Sequence, residues 1–372
     1  MIWPAAALAA AAGIYYLLVL VAALLWRRTD TSSAPLPPIS ILKPVHGRDP
    51  RFYDAIRSHA IQNYPEFELL FAVHRDDDPA LEDIRRLQQE FPHLHIRAMV
   101  AGRKTPNGKV GLMAELARAA RYPVLLVNDS DIRVPEGYLR TVVAGLAGPR
   151  TGLVTCLYRA ASASPAARWE AIGIATEFAP SVLLARLIGV VEFALGSTMA
   201  FRADLLRKIG GFEAIADYLA DDYQLGRRIT AAGYRVAFAP AVVETDLGVQ
   251  TWTGIWRHQL RWSRTIRVSR PGGYFGYAVT HATMWSLLAA AAGAWQLGAA
   301  VLALRVVAGV AVGAGVLGDR ALLWHWPLIP FRDLWGFAVW LAGLGGSTVE
   351  WRGQRLRLSR DGKIRPAAKA VP

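Results

Sequence analysis

The sequence predicts an α/β domain on a mostly parallel sheet, held at a membrane by apolar segments on either side of it. Three observations carry this. Short apolar strands alternate with helix-length stretches from Ile39 onward, the central strand ends in paired aspartates, and long apolar runs open the chain and return after Pro271. With 372 residues, 53% of them hydrophobic, there is room for one sizeable domain plus several membrane segments. The net charge of +13 accompanies those apolar runs, which fits an anionic membrane surface better than nucleic acid. The single cysteine, Cys156, rules out an internal disulfide, and no Cys/His cluster has zinc-site spacing. That usage fits a reducing, cytoplasmic side.

Ile2 to Trp26 is almost wholly apolar and long enough to span a bilayer. Nothing basic precedes it, whereas Arg27 and Arg28 follow it. An uncleaved anchor over residues 1–28 is therefore expected rather than a secretory signal, with the amino terminus outside. Residues 29–38 form a polar, proline-rich linker into a domain over 39–250. There ISILKPV reads as a strand, Pro50 to Gln62 as a helix and Phe67 to Val73 as a strand. Pro79 to Phe91 is a helix, His95 to Val100 a strand, and Val110 to Ala120 a helix leading into PVLLVNDSDIRV. Strands separated this way form a sheet covered on both faces, with ligands beyond the carboxyl ends of the strands.

Val124 to Val127 is the buried central strand, and Asp129 and Asp131 stand at its end. If the chain stays extended there, the two carboxylates face one side and can converge on a hard divalent cation. The other reading is a turn whose Asp and Ser side chains bond nearby backbone. Asp76, Asp77 and Asp78 follow the second strand; the first two are expected to cap a helix and face water, and Asp78 to contact a ligand. The loop GRKTPNGKVG is no Walker motif, but its amides and Lys109 suit phosphate oxygens. Gly152 to Leu157 is a further strand.

Residues 166–201 are apolar but broken by Arg168, Glu170, Glu177, Arg186 and Glu192. Charges that frequent argue against a full crossing, leaving helices on the bilayer surface or an ordinary helical core. Gly196, Ser197 and Thr198 then allow close backbone approach to a ligand. Asp221 and Asp222 open a helix that ends at Gly233; capping explains one, and the other can take a proton from a hydroxyl nucleophile. Residues 251–277 hold an interfacial helix with Trp252, Trp256 and Leu260 at four-residue spacing and arginines between them. Such a helix is either a plain anchor or a phosphate-binding element. Within 278–349, Ala278 to Leu297 and Gly298 to Leu317 approach span length, and Leu334 to Val349 is shorter. The basic tail, 350–372, is expected on the cytoplasmic side, so one of these segments should not cross.

The order Asp78, Asp129-Ser130-Asp131, Asp222-Tyr223 and HQLRW (His258 to Trp262) resembles membrane glycosyltransferases of the ceramide glucosyltransferase type. ILKPVHG, DDDPA, LVTCLYR and GGFEAIADYLADDY extend the likeness, which is closest to the hopanoid biosynthesis-associated glycosyltransferases. The resemblance implies a GT-A (Rossmann-like) fold, a UDP-sugar donor, a divalent cation (Mg or Mn) and inversion at the anomeric carbon. It implies N-acetylglucosamine in preference to glucose, and a polyhydroxylated hopanoid in preference to a ceramide-type lipid. It assigns Asp222 as general base, Asp129 and Asp131 to the metal, and Asp78, Asp129, Arg261 and Trp262 to the donor, where Pro44 and Lys109 are expected contacts as well. Gly196, Asp221 and His258 are weaker candidates for donor or acceptor contact, and His258 stands where Gln or Arg is usual. The expected setting is a bacterial inner membrane with the catalytic domain in the cytoplasm. A processive polysaccharide synthase and an inactive membrane adaptor are the competing readings.

Overall fold

The computed structural model describes residues 2–26, 35–102 and 105–366. Arg27, Arg28, linker residues 29–34, Arg103 and Lys104 of the basic loop, and tail residues 367–372 lie outside the described residues. In chain order, α1 (Ile2–Leu24) is followed by β1 (Ile39–Pro44), α2 (Phe52–Ala60), β2 (Phe67–Val73), α3 (Ala80–Glu90), β3 (His95–Val100), α4 (Gly108–Ala119) and β4 (Val124–Val127). Next come α5 (Tyr138–Leu146), β5 (Thr151–Ala161), α6 (Pro165–Gly173), a π-helical turn Ile174–Phe178 and α7 (Ala179–Leu187). After β6 (Met199–Arg202), α8 (Ala203–Lys208), α9 (Asp221–Ala231) and β7 (Arg235–Asp246), the chain is helical again. It runs through α10 (Trp252–Ser269), α11 (Pro271–Gly276), α12 (Ala282–Ala291), α13 (Trp295–Val310), α14 (Leu322–His325) and α15 (Ile329–Gly343). Three short strands close it: β8 (Thr348–Trp351), β9 (Gln354–Leu358) and β10 (Ile364–Pro366). Two compact units result, a sheet unit of residues 28–158 and 191–248, and a helical unit of 1–27, 159–190 and 249–372.

In the sheet unit the seven strands run in the order β3-β2-β1-β4-β6-β5-β7. The first four are parallel, with Ile39 opposite both Phe67 and Val124. β6 then runs antiparallel to β4, pairing Leu126 with Ala200, and β5 is antiparallel to β6. The sheet is therefore mixed where a mostly parallel one was expected. An apolar run signals a buried strand but does not encode its direction, and an antiparallel edge on a parallel sheet is common. Alternate residues feed the two faces: Ile41, Leu69, Phe71 and Leu126 join α2, α3 and α5 in one core, while Leu42, Leu70, Leu125 and Val127 join α4, α8 and α9 in the other. Each such side chain, fully buried, contributes about 1.5–3 kcal/mol.

In the helical unit α1 packs against α7, α12 and α13. Trp3–Leu24 and Trp295–Val316, the latter α13 continued through a π-helical turn, are long and apolar enough to cross a membrane. Ala278 to Leu297 is not one span. Its helix stops after ten residues, at Ala291, and the chain turns through Gly293 at φ +99°. Residues 166–187 join this unit as α6 and α7, and the basic tail is folded, with β8, β9 and β10 forming an antiparallel sheet.

Gly226 of α9 sits against the backbone of Phe193 and Ala194; a Cβ there would lie 2.8 Å from the Ala194 nitrogen and the Phe193 carbonyl carbon. Backbone cannot rotate aside as a side chain can. Gly226→Ala is expected to lower stability by about 1–3 kcal/mol despite alanine's better helix propensity. Denaturant unfolding of the detergent-purified protein measures this, and an unchanged or raised midpoint would contradict the close packing.

Candidate active site

The carboxyl ends of β2, β1 and β4 are laced together by side chains of the loops that leave them. The Asp78 carboxylate accepts from the Gly47 amide at 2.9 Å and the Ala80 amide at 3.0 Å, so it joins the loop after β1 to the start of α3. In the same β1 loop Asp49 accepts from the Ser130 hydroxyl at 2.5 Å. Asp76 and Asp77 are exposed, and Asp77 pairs with Arg75; the capping bond expected of them is made by Asp78 instead.

After β4 the chain does not stay extended. It turns at Ser130 and Asp131, with the Ile132 amide 3.3 Å from the Asp129 carbonyl. The two aspartates consequently engage different partners: Asp129 Oδ1 meets Lys109 Nζ at 2.7 Å, while Asp131 Oδ2 accepts from the Thr245 hydroxyl on β7. Burial and the neighbouring Asp129 charge push the Asp131 carboxyl up to about 6. Lys43, the next-to-last residue of β1, donates from its Nζ to the Asp129 carbonyl at 3.0 Å. Burial lowers that ammonium to about 7, against the pull of Asp131, Asp129 and Asp49.

Lys109 is the hub. It lies in the first turn of α4, whose cap Asn107 accepts from the Val110 amide and donates its own Nδ2 to the Tyr218 carbonyl at 2.7 Å. Asn107 thereby fastens the start of α4 to the segment entering α9. Lys109 Nζ then reaches Asp221 Oδ2 at 3.0 Å as well as Asp129. Burial alone would lower this ammonium, yet the Asp129 and Asp221 charges hold it above its ordinary value. Asp222 is held separately, Oδ2 accepting from the Gly196 amide at 3.1 Å and Oδ1 from the Tyr223 amide at 2.7 Å. Burial, reinforced by Asp221, pushes its carboxyl up to about 6. Gly196 marks the centre of the cluster: a Cβ there would lie 3.1 Å from Asp129 Oδ2, 3.6 Å from Lys109 Nζ and 3.7 Å from Asp222 Oδ2.

Asp129, Lys109, Gly196, Asp221 and Asp222 thus share one cluster, with Asp131 beside it. Pro44 is buried at the end of β1. Among the described residues no three His, Cys, Asp or Glu side chains gather as a preformed metal cage. Two carboxylates of hard oxygens, with Asp129 42% exposed, still fit a divalent cation that fills its other positions with water and phosphate. His258, Arg261 and Trp262 lie on α10 of the helical unit. There His258 Nδ1 meets the buried Glu170 at 2.6 Å, and its ring is 4.6 Å from that of Trp262.

Several residues of the cluster are not among the expected ones. Lys43 is signalled by a lysine inside an otherwise apolar strand. Asn128 caps the same strand end as the aspartates, its Nδ2 donating to the Ser197 carbonyl at 2.6 Å and to Tyr138 at 2.9 Å, which fixes the Gly196 segment. Thr245 gives no local signal, since its partner Asp131 is 114 residues away.

A model of glycosyl transferase family 21 matches residues 4–364. Ceramide glucosyltransferase 1 of Caenorhabditis elegans is 31% identical over 207 residues, 55% of this chain and 44% of that enzyme. The probable glycosyltransferase YdaM of Bacillus subtilis is 24% identical over 235 residues, 62% of this chain and 55% of that protein. The chain thus spans about half the length of the relatives it matches. Among solved structures, a mannosyltransferase from Pyrobaculum calidifontis, in complex with GDP-Man and Mn2+, superposes with a TM-score of 0.57 at 21% identity. It covers 92% of this chain and 98% of its own, and the shared fold is GT-A-like.

Removing one partner of a buried pair strands the other charge, so Lys109→Met should cost about 3 kcal/mol at neutral pH, less where the partly exposed Asp129 is screened. A carboxyl raised in the folded state binds its proton more tightly there, so its contribution is present at low pH and fades as pH rises through about 6. Without the ammonium that fall steepens. Thermal unfolding from pH 5 to 8 should show the deficit of Lys109→Met widening with pH, and a constant or shrinking deficit would speak against the shared pairing.

Proposed function

Because the chain belongs to glycosyl transferase family 21, we propose that it transfers one sugar, with inversion, from a UDP-sugar to a hydroxyl of a membrane lipid. The observation that carries this is the single cluster of Asp222, Lys109, Asp129 and Gly196 at the carboxyl end of the sheet. A general base works best with a pKa near the operating pH, and a carboxyl raised to about 6 meets that need where an exposed aspartate would not.

In this reading Asp222 takes the hydroxyl proton as the lipid oxygen attacks the anomeric carbon from the face opposite UDP. The Gly196 and Tyr223 amides hold its two oxygens in place. Lys109 balances Asp129 and Asp221 and offers positive charge toward the departing diphosphate. Asp129 and Asp131 are the residues that would hold a divalent cation, Mg or Mn, which when bound supplies Lewis-acid stabilisation of the leaving group. Asp78 and Pro44 are assigned to the nucleotide, Arg261 and Trp262 to the donor, and His258 to donor or acceptor; these roles rest on the motifs. The favoured donor is UDP-N-acetylglucosamine before UDP-glucose, and the favoured acceptor a polyhydroxylated hopanoid before a ceramide-type lipid. The proposed setting is a bacterial inner membrane with the sheet unit in the cytoplasm.

Detergent-purified protein incubated with each UDP-sugar and lipid, followed by mass measurement of the lipid, tests the reading. A mass gain of one sugar is the expected product. A product that lengthens with time would mean a polysaccharide synthase, and no turnover with any pair would favour an inactive adaptor. Asp222→Asn should lower transfer roughly 100- to 10,000-fold while leaving UDP binding within a few-fold. Normal turnover in that variant would remove the base from Asp222.

A further inference from the structure

The folded tail presents an arginine face with no acidic partner to match it. Residues 344–366 hold six cations, Arg352, Arg355, Arg357, Arg360, Lys363 and Arg365, against two carboxylates, Glu350 and Asp361. Strand alternation sorts them. Val349, Leu356, Leu358 and Ile364 are buried on one side of the sheet. Arg355, Arg357 and Arg365 are exposed on the other, where Arg365 stands opposite Arg357 and Arg355 opposite Glu350. Arg355 and Arg357 are about 7 Å apart along the strand, and Arg365 about 5 Å across it. Glu350 is already engaged by Arg257 of α10 at 3.4 Å, and Asp361 by the Ser359 hydroxyl at 2.5 Å. Among the described residues none of the three arginines has an ion-pair partner, and like charges set this close on one face disfavour the sheet unless an anion covers them.

The same sheet is tied to a helix that packs on Trp295–Val316, which is long and apolar enough to cross a membrane. β8 starts five residues after α15 ends, a reach of at most about 17 Å, and α15 packs against α13. Two arginines of α10 clamp the connection: Arg264 donates to the Gly345 carbonyl at 2.9 Å and the Thr348 carbonyl at 2.6 Å, and Arg267 to the carbonyls of Leu344 and Gly346. A rigid arginine face close to the end of such a helix matches the phosphates of an anionic leaflet. Guanidinium forks bind phosphate in two-point fashion, and a lipid surface supplies phosphates at high density.

We propose that the outer face of the C-terminal sheet, Arg355, Arg357 and Arg365, docks on anionic lipid headgroups and thereby seats α10 at the leaflet surface. Each arginine contributes roughly fivefold to association with an anionic surface, and the three together roughly a hundredfold.

The test uses the full chain in lipid nanodiscs of phosphatidylcholine alone or of equimolar phosphatidylcholine and phosphatidylglycerol, with amide hydrogen exchange read over residues 354–366. Exchange there should slow roughly tenfold or more in the anionic discs, and high salt should remove the difference. Replacing the three arginines by glutamine (Arg355→Gln, Arg357→Gln, Arg365→Gln) should abolish the slowing, whereas the matching lysine variant should keep most of it. Equal exchange of the wild-type chain in the two discs overturns the proposal whatever the variants do. So does slowing that a duplex oligonucleotide produces in neutral discs and phosphatidylglycerol does not.

Discussion

Lys109 sets its ammonium 2.7 Å from Asp129 and 3.0 Å from Asp221, and this buried contact joins the parallel half of the sheet to α9. Asp129 leaves the end of β4, Asp221 opens α9, and Lys109 belongs to the first turn of α4. Without the cation, Asp129, Asp221 and Asp222 would stand close together with no ammonium between them and repel one another. With it, Asp129 and Asp221 share one ammonium, while Asp222, held by two amides instead, is left with a raised affinity for a proton. Similar acids thereby acquire different environments through their contacts alone.

The supporting polar groups follow from that constraint. Asn107 and Asn128 each bridge elements far apart in sequence, one fixing where α4 begins relative to α9 and the other fixing the Gly196 segment against the end of β4. Both are fully buried; Asn107 donates to a backbone carbonyl, and Asn128 to a backbone carbonyl and the Tyr138 hydroxyl. Such bonds hold atoms in register without adding charge, which suits a site already crowded with carboxylates.

Most of this site could be read from the sequence because its acids sit at strand ends and helix starts, where local pattern fixes position. Asp129, Asp221 and Asp222 needed only the strand of Val124 to Val127 and the helix after Tyr218 to be placed. A turn after Val127 was one of the two readings the sequence left open, but the separate partners of Asp129 and Asp131 were not legible in this way. They depend on a turn at Ser130, held by Asp49, and on Thr245 arriving from β7, and neither partner is local. The direction of β6 was hidden for a similar reason, since so short a strand looks alike in either sense. Hydropathy likewise exaggerated Ala278 to Leu297, because it averages across Gly293, where the backbone adopts a left-handed turn and the helix stops.

Charges in the helical unit obey the same logic as those in the sheet unit. Arg305 lies within the apolar helix α13, fully buried, with its Nε 3.4 Å from Asp333 of α15 and its guanidinium 4.9 Å from the ring of Tyr16. Arg332 meets Glu177 at 3.2 Å, again with both side chains buried. Space for these heads comes from glycine: a Cβ on Gly309 would lie 2.9 Å from Arg305 Nη1, and one on Gly336 2.5 Å from Glu177 Oε1. An arginine in a hydrophobic run is therefore no argument against burial there, provided an acid and a glycine stand at the matching depth on neighbouring helices. Each pair joins segments remote in sequence, Arg305 to Asp333 and Glu177 to Arg332, so the ion pairs fix how α13, α15 and the π-helical turn after α6 are set against one another. Apolar packing between helices tolerates sliding; paired charges at fixed depth do not.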